Sequence, residues 1–244
     1  MFLKKNFSPA LPVYFLALAV IYFVIKFCGY TFVPVNGFLF NVISAAIIIF
    51  LTWNGFVNRE ANQSKFLFVL LPVFGVLFII LKWLATDLSG FGTNIYIAHC
   101  FLTLVCCLIL FFRLRNKAVK IILGIIYTLA TAAVFFLLLL ALSWANGDTE
   151  TVVTAQLSPS GAFLAEVVAS DQGALGGDTL VNITKQHLDI NIFVGTLRLD
   201  AQTIYSDRLE MADTVTLRWD TDEYVYINGV KYAIEQERLA HKNY

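Results

Sequence analysis

Three groups of residues in this chain carry side chains able to do chemistry. The first is a set of polar groups inside apolar sequence: Lys26, Asn41, Lys82 and His99, with Asp87 and Asn94 close by. Ionisable groups surrounded by hydrocarbon mark ligand sites, ion paths or proton relays. The second is His99 with Cys100, Cys106 and Cys107, which are zinc-ligand residue types. The third is acidic, Asp220-Thr221-Asp222-Glu223, with the hard oxygens a calcium ion prefers.

Spacing weakens the second and third groups. On a helix, His99 and Cys106 share one face, and Cys100 and Cys107 share a neighbouring one. Seven residues of helix cover about 10 Å, too far for one ion. Cysteine is also an ordinary small apolar residue in such surroundings. The acidic run lacks the glycine-punctuated spacing of a calcium loop, and acidic residues suit a solvated turn between strands. No metal and no cofactor are expected. Hydrolysis lacks support as well. His187 and His241 are the histidines outside the apolar half, His187 has Asp189 two residues on, and no serine sits in a glycine-flanked elbow. Asn182-Ile183-Thr184 reads as a glycosylation acceptor only in a eukaryotic secretory setting. The expectation is a non-enzymatic protein.

The elements that position the first group are five apolar runs within residues 10–145. The chain is 59% hydrophobic with 22 Phe, and the excess lies in this half. A bilayer core takes about 20 apolar helical residues. The predicted spans run over about Ala10–Phe27, Gly37–Val57, 66–84, 94–112 and 120–144. Pro9 and Pro12 suit the first helix start, and Pro72 is expected to kink the third span. Trp53, Trp83 and Trp144 fall at span ends, as an interfacial aromatic belt requires. Lys26 and Lys82 lie at outer ends and are expected to snorkel to the interface. His99 lies about one and a half turns inside the fourth span and is expected to bond a neighbouring helix. The sharper alternative is an outward-open pocket of Lys26, Asn41 and His99. Gly124, Thr128 and Ala132 recur every fourth residue and form a small-residue stripe. Such stripes let helices approach closely. The favoured reading is packing within the bundle, with homodimerisation as the other.

Charge orients the spans. Lys4 and Lys5 precede the first, Arg59 and Lys65 separate the second from the third, and Arg113, Arg115, Lys117 and Lys120 separate the fourth from the fifth. Basic loops stay in the cytoplasm. The N-terminus is then inside and everything after Trp144 outside. Lys4 and Lys5 also resemble a signal-peptide start, but no small-residue cleavage site follows, so the first run is read as a retained anchor. The overall net charge of zero conceals ten Lys or Arg against two acidic residues in 1–145, and seven against fifteen in 146–244. An acidic outer part does not suit nucleic acid or anionic lipid. The four cysteines all lie in the first half, so the second must fold on its core without disulfides.

After Asn146-Gly147-Asp148 the pattern changes to period two. Ile190, Ile192 and Val194 alternate with Asp189, Asn191 and Phe193. Val215, Leu217 and Trp219 alternate with Thr214, Thr216 and Arg218. Val225 and Ile227 alternate with Tyr224 and Tyr226. Half-buried strands read this way. Ser158-Pro159-Ser160-Gly161 and residues 172–177 are turn signals. Asn228-Gly229 predicts a type I′ hairpin. Six to eight antiparallel strands are expected, with Val215, Leu217, Trp219, Val225 and Ile227 in the core and residues 235–244 as a charged tail.

Leu157-Ser158-Pro159-Ser160-Gly161-Ala162-Phe163, Leu217-Arg218-Trp219-Asp220 and Tyr224-Val225-Tyr226-Ile227-Asn228-Gly229 together resemble the DUF5412 family of bacterial proteins. That family shows a Ser-Pro-(Asp/Asn)-Gly-like start, a Trp-Asp strand end and a terminal Ile-Asn-Gly hairpin. The resemblance covers about residues 152–234. It implies a short membrane anchor, a small extracytoplasmic domain and a bacterial envelope setting, and it carries over no catalytic residue. This chain departs from it in having five spans.

The predicted architecture is an α-helical membrane bundle of five transmembrane helices (1–145), a small all-β antiparallel extracytoplasmic domain (146–234) and the tail. The expected partners are the lipid bilayer and a protein or envelope component held by the outer domain, and no nucleic acid. The leading function is display of the acidic domain for binding or sensing. The alternatives are a transporter-associated protein with an outer polar pocket, for which no repeated halves are visible, and a membrane immunity protein.

Overall fold

A computed structural model of the chain describes residues 10–57, 65–87, 93–112, 117–145, 149–171, 176–186 and 188–234. Lys4, Lys5, Arg59, Arg113, Arg115, the 146–148 hinge, His187, His241 and the 235–244 tail lie outside the described residues. The chain has an N-terminal helical region followed by an antiparallel β-sheet region. It divides into two compact units. One takes in Phe32–Leu140, Phe193–Gly195 and the residues up to Lys26. The other takes in Phe27–Thr31, Ala141–Ile192 and the residues from Thr196 onward.

In the helical unit, the apolar runs form α1 (Ala10–Phe27), α2 (Gly37–Val57), α3 (Lys65–Val69), α4 (Leu71–Ala85), α5 (Thr93–Phe111) and α6 (Lys117–Ala145). Two of them, α1 and α2, are long and apolar enough to cross a membrane; the apolar stretches Leu71–Ala85, Ile95–Phe111 and Ile121–Leu137 are shorter. The third predicted span is two helices and not one kinked helix. Helix α3 ends at Val69, Leu70 occupies the N-cap position of α4, and Pro72 falls in the first turn of α4. A proline there lacks only an N–H that would have no intrahelical partner anyway, so Pro72 starts a helix.

Helix α5 packs against both α2 and α4. Small residues set the spacing. A Cβ on Gly75 would lie 2.5 Å from Cys107 Sγ, and one on Gly55 would lie 3.3 Å from Leu110. Cys107 thus acts as a small packing group opposite a glycine. Phe15 and Phe78 fill the space between α1 and α4, with ring centroids 5.3 Å apart. On α6, Gly124 is buried, and a Cβ there would lie 2.8 Å from the Phe112 ring. Thr128 and Ala132 of the same stripe are exposed. Thr128 donates to the Gly124 carbonyl at 2.7 Å, and with Phe112 and Ile125 it lines an open apolar cleft of about 520 Å³. Among the described residues, Gly124 is the stripe residue buried against a neighbouring side chain.

The β unit contains a four-stranded antiparallel sheet in the order β2-β3-β4-β7, formed by β2 (Thr149–Leu157), β3 (Phe163–Asp171), β4 (Gly177–Lys185) and β7 (Gln202–Arg208). A second sheet, β10-β9-β8, comprises β8 (Leu217–Thr221), β9 (Tyr224–Ile227) and β10 (Val230–Ala233). Phe163, Ala165 and Val167 of β3 and Val181 and Ile183 of β4 alternate with outward residues. They meet Val215, Val225, Ile227 and Ile234, with Leu217 and Trp219 packed at the margin. Trp219 is half-buried, and its indole N–H donates to the Gln156 carbonyl at 3.1 Å. Val215 is buried just outside β8, after the 3-10 turn Leu209–Thr214. Asn228 (φ 51°) and Gly229 (φ 80°) make the two-residue turn between β9 and β10, with both φ positive as a type I′ turn requires.

The described residues carry more strands than six to eight. A short strand, β1 (Tyr30–Pro34), lies in what reads as a bare gap between the first two spans, and it joins β5 (Ile190–Ile192) and β6 (Gly195–Leu199) in a third sheet, β1-β6-β5. The Asp200 N–H donates to the Gly29 carbonyl at 2.9 Å, and the Thr31 hydroxyl donates to the Asp200 carboxylate at 2.6 Å. Strand β5 is a second correction. Its alternation suggested one buried face, yet Ile190 (48%) and Ile192 (42%) are exposed. Alternation shows that a strand can bury one face; whether anything covers that face is decided elsewhere.

Candidate functional site

The buried face of α2 carries Gly37, Asn41, Ser44, Ile48, Thr52 and Gly55, while Val42, Ile43, Ile47, Ile49, Phe50 and Trp53 point outward. Steps of three and four keep the inward set on one helical face. The same face of α4 brings Phe78, Ile79 and Lys82 inward, and α5 contributes Tyr96, His99 and Thr103. The result is a polar cluster enclosed by helices.

Lys82 stands at its centre with 1% of its surface exposed. Its Nζ donates to Asn41 Oδ1 at 2.7 Å, and Asn41 Nδ2 donates to the Gly37 carbonyl at 3.1 Å. The ammonium also lies 5.4 Å from the Phe40 ring centroid, 5.8 Å from Phe78 and 5.7 Å from Tyr96. Aromatic faces are electronegative and hold a desolvated cation by about 2 kcal/mol each at best. Lys82 therefore does not snorkel. Its place on the buried stripe of α4, opposite an amide and three rings, gives the ammonium partners inside the bundle.

His99 Nε2 lies 2.9 Å from Ser44 Oγ, which is also 3.4 Å from the Tyr14 hydroxyl. His99 Nδ1 is buried without a hydrogen-bond partner among the described residues. Tyr96 donates to the Ile79 carbonyl at 3.1 Å, tying α5 to α4. The structure thus joins Asn41 to Lys82 and places His99 beside them through Ser44 and the Phe78 ring, 6.1 Å from the imidazole. It leaves Lys26 exposed on the last turn of α1. The outward-open pocket of Lys26, Asn41 and His99 is corrected accordingly: Asn41 and His99 are buried at 1% and 3% exposure. Sequence reading missed Ser44, Tyr14 and Tyr96. Ser44, three residues after Asn41, and Tyr96, three before His99, had the helical spacing that would have revealed them.

Among the described residues, no three His, Cys, Asp or Glu side chains are placed to hold a metal ion. The acidic run of the β unit is occupied by its own chain. Asp220 Oδ2 pairs with Lys231 Nζ at 2.8 Å, and Asp222 Oδ1 accepts from the Ser160 N–H at 3.2 Å. The Lys231 ammonium also lies 4.1 Å from the Tyr224 ring centroid. Both members of the ion pair are well exposed, so it contributes little.

Hydrogen bonds from the Ser160 and Ser158 hydroxyls, then from the Ser160 backbone, hold the Asp222 carboxyl below the ordinary aspartate value of 3.8. The Tyr205 hydroxyl, at 2.8 Å, and the Arg208 N–H do the same for Asp207. A carboxyl with a depressed folded value stabilises the fold above its unfolded value and loses that contribution as the pH falls through the folded one. The stability of the β unit should therefore decline as the pH drops below about 3.8. Asp222→Asn should flatten part of that decline in an acid titration of the unfolding midpoint.

No family model, curated protein or solved structure matches this chain.

Proposed function

We propose that this is a non-enzymatic integral membrane protein that crosses the bilayer five times and displays an acidic β domain outside the cell to bind or sense a protein or envelope component. The observation that carries this reading is the inverted polarity of the helices. In α2 the amide, hydroxyl and glycine residues face inward and the large aliphatic and aromatic residues face outward. Water would drive the opposite arrangement. Lipid permits this one, because hydrocarbon accepts apolar side chains while polar groups must find partners within the bundle. Sidedness follows from the basic residues before the first span and in the second and fourth gaps. A bacterial envelope setting belongs to the same proposal and rests on the DUF5412-like motifs within residues 152–234 alone, since no family model matches the chain.

Protease added to intact protoplasts expressing the full chain should cut the β domain and leave the helices. Protection in protoplasts, with cutting only in inverted vesicles, would reverse the orientation and end the display reading.

Lys82 favours a second reading. It is a buried cation beside an amide and three rings, with no carboxylate within ion-pair distance among the described residues. Intramembrane cations of this kind commonly serve transport. A transporter-associated protein would lose its cellular effect with Lys82→Met, whereas display would survive the change.

A further inference from the structure

The turn between β5 and β6 exposes its most apolar residues. Phe193 is fully exposed, and Val194 is 49% exposed. No residue from Ile190 to Thr196 is charged. The turn is held in a fixed place. The Val35 N–H donates to the Val194 carbonyl at 3.3 Å. A side chain on Gly195 would overlap the Val33 carbonyl and the Phe32 ring, so glycine is what lets the backbones come this close. Val35 is 82% exposed and stands two residues before α2, whose first turn presents Phe38 (57%) and Leu39 (52%) outward. Phe193, Val194, Val35, Phe38 and Leu39 thus belong to one unit and continue the outward apolar surface of α2 past its N-terminal end.

We propose that the Phe193-Val194 turn is an interfacial anchor that inserts into the outer leaflet at the headgroup–acyl boundary. The inference rests on the membrane reading above and adds a second lipid contact to it, made by a β-turn. Continuity with the outward surface of α2 assigns lipid as the occupant. The absence of charge makes insertion a matter of apolar burial, so neutral phospholipid suffices and anionic lipid adds nothing. Anchoring at this point would hold the strand that carries the turn at the bilayer surface.

The test places an environment-sensitive fluorophore on the full-length protein in phosphatidylcholine vesicles. Phe193→Cys, Phe50→Cys and Asp213→Cys each carry the label in a Cys28→Ser background, the other cysteines being buried. Phe50 is outward on α2, and Asp213 is exposed on the 3-10 turn. The expected result is that the label at 193 is quenched by shallow spin-labelled lipid and is several-fold less quenched by aqueous iodide than the label at 213. Adding phosphatidylglycerol should leave both values unchanged. If 193 is as open to iodide as 213 while 50 remains lipid-quenched, the helices cross the bilayer and the anchor is refuted. If 50 is open to iodide too, the membrane reading fails and takes the anchor with it. Insertion that requires anionic lipid would overturn the apolar mechanism.

Discussion

Asn41→Leu should destabilise the helical unit by about 3 kcal/mol, the cost of leaving a buried ammonium without its hydrogen-bond acceptor. The substitution removes the oxygen 2.7 Å from Lys82 Nζ and keeps the side-chain volume. The three surrounding rings offset only part of the loss, since they already act in the native protein. Lys82→Met removes the charge itself and fills the same slot, leaving only the neutral Asn41 oxygen without a donor, so it should cost less, about 1 kcal/mol. Asn41→Leu combined with Lys82→Met should recover most of the stability that Asn41→Leu loses alone. Unfolding by a denaturing detergent, read as a double-mutant cycle, measures the coupling. Ser44→Ala supplies the scale. It breaks a contact between neutral groups, and interhelical hydrogen bonds of that kind average about 0.6 kcal/mol. If Ser44→Ala costs more than Asn41→Leu, Lys82 does not carry its charge in the folded protein.

Ile183→Ala should cost about 2–5 kcal/mol in the β unit. Ile183 is fully buried against Phe163, Ala165 and Ile234, in a core between the β2-β3-β4-β7 and β10-β9-β8 sheets. Removing three carbons there leaves a cavity that two hydrogen-bonded sheets cannot easily collapse. Ile190→Ala changes the same residue type in an equally alternating strand. Because Ile190 is 48% exposed, it should move stability by no more than about 0.5 kcal/mol. Pulse proteolysis across a denaturant series compares the two variants in the full chain. Equal losses would mean that something covers β5 in solution.

The contrast between these isoleucines marks how far the sequence alone can be read. Both sit in period-two segments between turn signals, and local pattern cannot tell them apart. Ile183 is buried because a sheet formed by residues 217–233 lies over it. Ile190 belongs to a strand that no apolar face covers among the described residues of its own unit.

The same division runs through the helices. The end of α1 at Phe27 and the start of α2 at Gly37 fall where the apolar runs are expected to end and begin, because helix hydrogen bonds are local and a long hydrophobic run has few other ways to satisfy its backbone. The Asn228-Gly229 turn was legible for the same reason, since two consecutive positive φ angles leave few residue choices. The charge asymmetry between the halves is fixed by composition. Lys82 shows the limit. Its position near a span end predicts snorkelling, and only the packing of α2 and α5 against α4 sets an amide and three rings around it instead. Strand β1 is likewise invisible between two spans, because its partner strand lies more than 160 residues later in the chain. Hydrogen bonds to near neighbours and the count of apolar residues are written into the sequence. Which polar groups meet, and which apolar faces stay open, depends on contacts between segments far apart along it, and those exist only once the chain has folded.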